Sequence, residues 1–405
     1  MNILFLSHYY PPEGNAPATR TFEHTRRWAA QGHRVTVLTC APNVPHGKVY
    51  EGYRNALYQW ETISNVNVLR VWTYLAANKG TGRRSFNYIS YCFSAFIAGL
   101  FLRKPDVIIA TTPQFFCACA GSLLSKVRNI PFMLEVRDIW PDSIIAVNAI
   151  QNSWILKMMC WLEQRLYQSA SHIVTVGKGY FNVLRSKGVA AHRISVVPNG
   201  ANLEQFQVTE KKLHSSPFKC SFIGTIGMAA KLDVVLKAAQ HLDTMGEQDI
   251  HFELVGDGAD LERLKRESAE AGLTRISFTG LVNKQEVLNH VAHTNVCLVH
   301  LKRSELFKTV LPSKMFEAMA SGTPILLGVE GESADLVRSV GCGRTFQPEN
   351  PVDLCKQLLE MKSDPNETQR MGAAGRTHVE RFYNRDTLAQ DYLNHISQLL
   401  LKHSS

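Results

Sequence analysis

The chain has 405 residues, of which 45% are hydrophobic and 20% are charged, and its formal net charge is +9. The length suffices for two or three domains of about 150 residues, which excludes a small disulfide- or metal-stapled scaffold, and the composition excludes a disordered chain. Residues 1–200 carry 21 Lys and Arg against 9 Asp and Glu, whereas residues 201–405 carry 23 against 26, so the first half attracts anionic partners such as phosphorylated substrates, nucleic acid or an anionic membrane.

In the first half, short β-branched segments alternate with amphipathic stretches, which is typical of parallel strands joined by crossover helices. The predicted strands are 2–7, 34–40, 106–111, 132–136, 172–176 and 194–198. A helix is predicted at 17–31, with one apolar stripe at i, i+4, i+7 and i+11 from Ala18 and with Gly32 at its end. This opening predicts a Rossmann-like domain.

The segment FNYISYCFSAFIAGLFLRK at 86–104 is the most apolar part of the first half. Its uncharged core is marginal in length and polarity for a membrane span. We predict that it brings the first domain to an anionic membrane, and the competing interpretation is an ordinary buried crossover helix. The basic residues that flank it are Arg83, Arg84, Arg103 and Lys104.

The same alternation restarts after a polar stretch. Strands are predicted at 219–224, 251–256, 275–280, 295–300 and 324–329, and terminal helices at 351–362, 367–380 and 386–401. The predicted domains are 1–205 and 206–385, with a C-terminal helix at 386–405 that can cross back to the first domain. Ligands of such sheets bind at the carboxyl ends of the strands.

Two glycine-containing loops follow predicted strands, one in each half. In SHYYPPEGNAPATR (7–20), Gly14 and Asn15 precede a helix whose free N–H groups can receive an anion. In FIGTIGMAAK (222–231), Gly224 and Gly227 permit a tight turn, and Lys231 can meet phosphate. The alternatives are a turn without chemical role and a solvated lysine. Neither loop has the G-x-G-x-x-G pattern of a nicotinamide dinucleotide site.

The segment VLPSKMFEAMASGTPIL at 310–326 is the most specific motif. Ser313 is predicted to cap a helix that starts after Pro312, which would gather backbone donors for a phosphate. Lys314 and Glu317 lie on one face of that helix, and a simple surface ion pair is the alternative.

Taken in order, the PPEG loop, VPNGANLEQF (197–206), VGDGADLERL (255–264), FTGLVNKQEV (278–287) and FEAMASGTPI resemble the family 4 glycosyltransferases of the GT-B fold. EVRDIWPDSI (135–144) is similar to the branch that builds bacterial surface polysaccharides, including N-acetylfucosaminyltransferases. The resemblance implies an α/β GT-B protein with two Rossmann-like doubly wound domains facing across a cleft.

Carried over to this chain, the resemblance makes Glu317 the carboxylate that binds the ribose hydroxyls of the donor. Thr309 stands where many members have a first glutamate, and Glu305 lies four residues earlier. Thr111 stands where some members have a histidine beside the transferred sugar. Both differences concern how the sugar is held.

The resemblance also implies roles for the remaining candidate residues. Asp138 would bind a sugar hydroxyl, and Arg137 would bind phosphate or hold Asp138, although a local ion pair between them is the alternative. Gly256 and Val282 would flank the nucleobase. The catalytic set is therefore Asp138, Arg137, Lys231 and Lys314, and the donor-binding set is Gly14, Asn15, Gly224, Gly227, Gly256, Val282, Ser313 and Glu317. No metal and no cofactor is expected.

The expected activity is the transfer of a sugar from a nucleotide-diphosphate donor to a polyprenyl-diphosphate-linked glycan, with retention at the anomeric carbon. The expected nucleotide is UDP, and an N-acetylated deoxyhexosamine is among the candidate sugars. Nine cysteines without a C-x-x-C pair favour reduced thiols and hence a cytoplasmic protein. Because a lipid-linked acceptor stays in the bilayer, the expected location is peripheral, at the inner face of the plasma membrane. Nucleic acid is not an expected partner. The alternatives are a nucleotide-sugar 2-epimerase and a catalytically impaired nucleotide-sugar-binding subunit.

Overall fold

The computed structural model describes residues 1–77, 81–146, 153–206 and 216–404. The chain forms two compact units. Unit 1 comprises Met1–Pro198 together with Asp386–Ser405, and unit 2 comprises Asn199–Arg385. Unit 1 is therefore built from two parts of the chain that are separated by the whole of unit 2.

The first part of unit 1 alternates strands and helices. The strands are β1 Asn2–Leu6, β2 Arg34–Cys40, β3 Tyr58–Ile63, β4 Val66–Val71, β5 Val107–Thr111, β6 Phe132–Val136, β7 His172–Thr175 and β8 Ile194–Val196. The helices are α1 Ala16–Ala30, α2 Thr81–Phe101, α3 Phe115–Arg128, α4 Asp142–Ala146, α5 Ser153–Ser169 and α6 Lys178–Ser186. The sheet order is β3-β4-β2-β1-β5-β6-β7-β8, and β3 alone is antiparallel to its neighbour. The hairpin of β3 and β4 is a departure from the predicted elements.

Unit 2 contains the second parallel sheet. Its strands are β9 Phe218–Ile223, β10 Ile250–Val255, β11 Ile276–Gly280, β12 Val296–His300, β13 Ile325–Gly328 and β14 Gly343–Thr345, in the order β11-β10-β9-β12-β13-β14. Its helices are α7 Asp233–Thr244, α8 Leu261–Glu270, α9 Lys284–His293, α10 Ser313–Ala320, α11 Glu332–Val340, α12 Pro351–Ser363 and α13 Pro365–Phe382, and α14 Arg385–Ser404 follows. Two parallel-sheet α/β domains are thus confirmed.

One face of the unit 1 sheet is covered by α1 and α14. Trp28 of α1 is fully buried, and its Nε1 donates to the carbonyl oxygen of Ala389 at 2.9 Å. Arg27 forms an ion pair with Asp386. Because α14 covers α1 from a second side, burial on α1 is wider than the single predicted stripe, and His24 and Trp28 are buried with it.

The other face of this sheet is covered by α2, α3 and α5, which lie side by side. A side chain at Gly121 of α3 would contact Ala110 and Phe132 of the sheet. Arg128 of α3 donates from Nη1 to the carbonyl oxygen of Gly99 in α2 at 2.9 Å. The hydroxyls of Ser122 in α3 and Ser169 in α5 are 2.8 Å apart. We call α2, α3 and α5 together the helical layer.

No acidic residue lies between Glu61 and Asp106, but the basic side chains of this segment differ in exposure. Arg70 is buried, pairs with Glu61 and donates to the carbonyl oxygen of Cys40. Arg84 donates from Nη2 to the Tyr88 hydroxyl at 2.7 Å, so this predicted surface cation is held against its own helix. Lys79 lies outside the described residues.

The length and hydropathy of the helices decide the question of a membrane span. None of the helices in the described ranges is both long and apolar enough to cross a bilayer. All nine cysteines are free thiols, and most are buried, although Cys160 is exposed.

Candidate functional site

In unit 2, the loops that follow β9, β10 and β11 meet at one edge of the sheet, as the ends of parallel strands must. Gly224 donates its N–H to Val255 at 2.9 Å, and Gly256 donates to Gly280 at 3.0 Å. Gly224 and Gly256 have φ of +139° and +133°, where side chains are strained. A Cβ at Gly256 would lie 2.0 Å from the Gly224 carbonyl oxygen. The loop after β9 therefore approaches Gly256 closely, and the contact of Gly256 with a nucleobase stays a prediction.

Lys314, the second residue of α10, points at the loop after β9. Its Nζ lies 3.5 Å from the centroid of the Phe222 ring, and a Cβ placed on Gly224 would be 3.1 Å from this Nζ. Within the described part of the chain, Lys314 forms neither a hydrogen bond nor an ion pair. Burial lowers the pKa of Lys314 to about 8, although the negative charge of Glu317 opposes this shift. An ammonium group that is partly desolvated and lacks a counter-ion favours a bound anion.

The start of α10 differs from the prediction in one detail. Pro312 occupies the N-cap position with φ −61° and ψ 130°, Ser313 is the first helical residue, and no side chain caps the helix. The predicted capping role of Ser313 is therefore wrong, because the helix begins one residue earlier than a serine cap requires. The unpaired N–H groups of a first turn still favour an anion near Ser313 and Lys314.

Glu317 lies one turn after Lys314 and is partly buried, between the buried residues Phe316 and Ala318. Its predicted partner position is occupied by Thr309, whose hydroxyl donates to the carbonyl oxygen of Leu306 at 2.7 Å. Glu305 does not replace a carboxylate at Thr309. It is exposed and pairs with Lys308 at 2.6 Å.

Lys231 differs from Lys314 in its electrostatic surroundings. Its Nζ lies 3.2 Å from Asp233 Oδ2, and Asp233 also pairs with Arg263. Lys231 adopts the left-handed conformation with φ +45°, and its side chain is 45% exposed. A nearby carboxylate already balances this lysine, so it is the weaker of the two candidates for diphosphate.

The loop that carries Lys231 is held by a histidine that sequence reasoning missed. His300 at the end of β12 is buried, and its Nδ1 lies 2.7 Å from the Ala230 carbonyl oxygen, while its Nε2 accepts from the N–H of Glu349 at 3.0 Å. Burial lowers the pKa of His300. A neutral ring with a proton on Nδ1 satisfies both contacts, so His300 has a structural role.

The other donor-binding candidates in unit 2 differ in exposure. Val282 is partly buried and packs on a small cluster of Ile223, Val255 and Val291. Gly227 faces open space, since the nearest atom to a Cβ there would be Thr225 Cγ2 at 3.8 Å. The backbone is therefore open to approach at Gly227, whereas Val282 is packed against its neighbours.

In unit 1, the strand ends around Thr111 hold a buried polar network. Arg20 Nε donates to Glu135 Oε2 at 3.1 Å, and both side chains are nearly inaccessible. Thr111 donates from its hydroxyl to Glu135 Oε1 at 2.8 Å. Arg20 also donates to the carbonyl oxygens of Val197 and Pro198 at 2.8 Å. Thr111 therefore belongs to this network, which cannot be predicted from local sequence because Arg20 and Glu135 lie far apart in the chain.

Arg137 and Asp138 follow β6, and the hydroxyl of Thr112 accepts from the N–H groups of both, at 2.8 and 3.2 Å. Arg137 donates to the carbonyl oxygens of Pro17 and Ala16 in the first turn of α1, at 3.3 and 3.2 Å. Burial lowers the pKa of Arg137 to about 10. Burial raises the pKa of Asp138 to about 6, although a hydrogen bond from Ser143 opposes this shift.

The loop before α1 presents Gly14 to open space, since no atom lies within 4 Å of a Cβ there. Asn15 is the N-cap of α1, and its Oδ1 accepts from the N–H of Ala18 at 2.9 Å. Glu13 is buried and accepts from the N–H groups of Asn43 and Val44 at 2.9 and 3.0 Å. Glu13 fixes the loop, and Asn15 acts as a cap, which sequence reasoning did not assign to either residue.

The structure thus groups the candidates by unit. Gly224, Gly256 and Lys314 are brought together in unit 2, and Gly14, Asn15 and Arg137 lie around the start of α1 in unit 1. Across the described ranges, no cluster of three or more His, Cys, Asp or Glu side chains could hold a metal ion.

Comparison with known proteins gives two domain matches. Residues 15–200 match the glycosyl transferase 4-like domain, and residues 205–378 match the glycosyl transferases group 1 family. The putative colanic acid biosynthesis glycosyl transferase WcaI of Escherichia coli K12 is 24% identical over 98% of this chain and 100% of its own length.

Two solved structures are similar over nearly their whole length. Sucrose-phosphate synthase from Thermosynechococcus elongatus is 16% identical with a TM-score of 0.75, and the alignment covers 99% of each chain. Anabaena HepE in complex with UDP and glucose is 15% identical with a TM-score of 0.72, covering 98% of this chain and 99% of HepE. At these identities the likeness establishes the fold.

Proposed function

The chain belongs to the family 4 type glycosyltransferases of the GT-B fold, with a glycosyl transferase 4-like domain followed by a group 1 domain, and we propose that it transfers a sugar from a UDP-linked donor, with retention, to a lipid-linked glycan of a surface polysaccharide. The family membership favours transfer over the alternative of 2-epimerisation. The name of the Escherichia coli relative, which refers to colanic acid biosynthesis, supports the choice of a polysaccharide product.

The observation that carries the proposal is the position of Lys314. An ammonium group that has no ion-pair partner among the described residues, beside a glycine at the end of a strand and at the start of a helix, is suited to a diphosphate. In HepE, a similar fold binds UDP and glucose. The proposed role of Lys314 is to stabilise the negative charge that develops on the departing nucleoside diphosphate.

The proposed reaction exchanges one bond at the anomeric carbon for another. The bond between the anomeric carbon and the donor phosphate oxygen breaks, and a bond to an acceptor hydroxyl oxygen forms on the same face of the sugar. The acceptor proton passes to an oxygen of the departing diphosphate. No protein base is needed in this scheme, so the chain's contribution is positioning and charge stabilisation.

Replacing Glu317 with alanine is expected to weaken UDP binding about 10- to 100-fold, because a charge-assisted hydrogen bond to the ribose is worth roughly 1.5–3 kcal/mol. Isothermal titration of the purified variant with UDP measures the loss. Thr309→Ala is the matched control, and it should change the affinity little, since the Thr309 hydroxyl is engaged within its own turn.

The choice of nucleotide is tested in the same experiment by titrating the wild-type protein with UDP, GDP and ADP. We expect UDP to bind most tightly. Binding of UDP that is no tighter than that of GDP would contradict the UDP assignment, and unchanged UDP affinity in Glu317→Ala would contradict the ribose role of Glu317.

Asp138 is expected to produce an acidic limb in the pH dependence of kcat/KM. Its pKa of about 6 means that the carboxyl is ionised at pH 7 and becomes protonated as the pH falls through 6. A protonated carboxyl accepts hydrogen bonds from a sugar hydroxyl poorly, so activity should fall below that pH. In Asp138→Asn the limb should disappear along with most of the activity, and a limb that survives in this variant belongs to another group.

A further inference from the structure

The outward surface of the helical layer of unit 1 carries an unusual number of exposed apolar side chains. Phe101 of α2 is 84% exposed, and Trp161 of α5 is 57% exposed. The exposed large apolar residues of this layer are Phe86, Ile89, Phe93, Ile97 and Phe101 in α2, Leu123 and Val127 in α3, and Trp154, Met158 and Trp161 in α5. Single exposed apolar residues are ordinary, but a contiguous group of this size marks an interaction surface.

The spacing of these residues shows that they form stripes. In α2 they recur every three or four positions over the whole helix, and in α5 they are four and three positions apart, so each set lies on one helix face. The opposite side of α2, with Tyr88, Tyr91 and Ala95, is buried. The layer therefore has an apolar inner side against the sheet and a second apolar side facing outward.

The exposed charges of the three helices are all positive, although Asp106 is exposed in the loop after α2. The three helices contain a single acidic residue, Glu163, which is buried and pairs with Lys187 at 2.9 Å. Arg165 lies over the Trp161 ring, with 5.4 Å from Cζ to the ring centroid. The exposed cations of the layer and of the loop after α2 are Arg83, Arg103, Lys104, Lys126, Lys157 and Arg165.

Unit 2 has no comparable surface among its described residues. Its exposed large apolar side chains are Met228, Met245, Leu281, Val352 and Phe382, and they are distributed over separate loops and helices. The apolar and basic surface therefore belongs to unit 1, which also exposes Leu57, Tyr58 and Trp60 in and beside β3.

We propose that the outward surface of the helical layer is the face by which this protein lies on an anionic lipid bilayer. Helices with aromatic residues on one side and lysine or arginine beside them insert their apolar side chains into the headgroup region, while the cations contact anionic lipids. The proposal rests on the proposed lipid-linked acceptor, which remains in the bilayer. It differs from the sequence-based expectation because α3 and α5 contribute as well as α2.

The charge distribution favours a bilayer over a protein partner. Protein interfaces are depleted of lysine, whereas here the exposed lysines Lys126 and Lys157 accompany the apolar stripes of α3 and α5, and Lys104 follows α2. Tryptophan beside arginine is suited to the boundary between headgroups and acyl chains, since one end of each side chain is apolar and the other polar.

Sedimentation of the full chain with vesicles tests the proposal. We use vesicles of phosphatidylcholine alone and vesicles with 30% phosphatidylglycerol, a composition of roughly physiological negative charge. The wild-type protein should sediment with the anionic vesicles and dissociate as salt is raised. The variant Phe93→Gln/Phe101→Gln/Trp161→Gln should partition at least about tenfold more weakly, because each inserted apolar side chain contributes about that factor.

A second pair of variants tests the role of charge. Replacing Arg103, Lys104, Lys126 and Arg165 with glutamine should weaken binding to anionic vesicles by about fivefold per charge at low salt. The matched control replaces four exposed cations of unit 2 with glutamine, and it should bind like the wild type. The control residues are Lys237, Arg266, Arg338 and Lys356.

UDP titration of every variant shows whether the fold and the donor site persist, so a failure of the membrane proposal can be told from a failure of the proposed function. Equal recovery of the wild-type protein in the supernatant with both vesicle types would overturn the proposal. So would a wild-type protein that is dimeric together with a triple apolar variant that is monomeric yet still binds vesicles, because that result assigns the surface to a second copy of the chain.

Discussion

Replacing Lys314 with methionine is expected to weaken UDP binding by about 10- to 100-fold while leaving uridine binding nearly unchanged. The physical reason is that Lys314 lacks a counter-ion among the described residues and lies beside Gly224, where a phosphate oxygen can approach the backbone. A hydrogen bond to a charged group is worth roughly 1.5–3 kcal/mol, which corresponds to that range. Isothermal titration of the variant with UDP and with uridine separates phosphate binding from nucleoside binding.

The pKa of Lys314 adds a test by pH. Below its pKa of about 8 the side chain is an ammonium that attracts the diphosphate, and above it the group loses its charge. UDP affinity of the wild-type protein should therefore fall as the pH rises through 8, and Lys314→Arg should bind UDP without this dependence. Lys231→Met should lose less affinity, because Asp233 already balances Lys231. A larger loss in Lys231→Met than in Lys314→Met would reverse the assignment.

Deleting the chain after Arg385 is expected to prevent unit 1 from folding stably. The deleted helix α14 contributes buried apolar side chains to the core that contains β1, β2 and β5, namely Leu388, Ala389, Tyr392, Leu393, Ile396 and Leu399. Burial of a Leu or Ile side chain contributes about 1.5–3 kcal/mol, so the sum is on the order of 10 kcal/mol and matches the whole stability of a typical domain. Thermal unfolding followed by circular dichroism should show one transition, that of unit 2.

Point variants keep this prediction testable when the truncated chain is insoluble. Leu393→Ala/Ile396→Ala should lower the free energy of unfolding of unit 1 by about 4–10 kcal/mol. The control Asn394→Ala/Gln398→Ala changes exposed residues of the same helix. It should leave the free energy of unfolding of unit 1 within about 1 kcal/mol of the wild-type value. If both pairs have the same small effect, α14 is dispensable for unit 1.

The buried parallel strands could be predicted from the sequence because their composition is continuous and apolar. β2 and β6 begin and end where the sequence predicted them, and β1 differs by one residue. The hairpin strands β3 and β4 are exceptions. β4 is largely buried, but Asn67 and Arg70 interrupt its apolar run. The sequence of β3, YQWETI, alternates between exposed and partly buried positions at the edge of the sheet. An edge strand of this kind has no continuous apolar run to reveal it.

The candidate site could be predicted only in part, because its energetics depend on contacts that are distant in sequence. The motifs indicate Lys314 and Lys231 equally as phosphate-binding residues. Only the structure shows that Asp233 forms an ion pair with Lys231. Thr111 was assigned by position in a motif, whereas its hydroxyl belongs to the buried pair of Arg20 and Glu135. Buried ion pairs between remote residues leave no local pattern in a sequence.

The division of unit 1 into two parts of the chain has a consequence for biosynthesis. The ribosome completes β1 to β8 first, yet α14 emerges only after all of unit 2 has been translated. At about 5–20 residues per second, this interval lasts on the order of ten seconds or more. Until α14 is synthesised, Trp28 and the sheet face that α14 packs on remain exposed to solvent. Unit 2 can therefore complete its hydrophobic core before unit 1 does, although unit 2 is translated later.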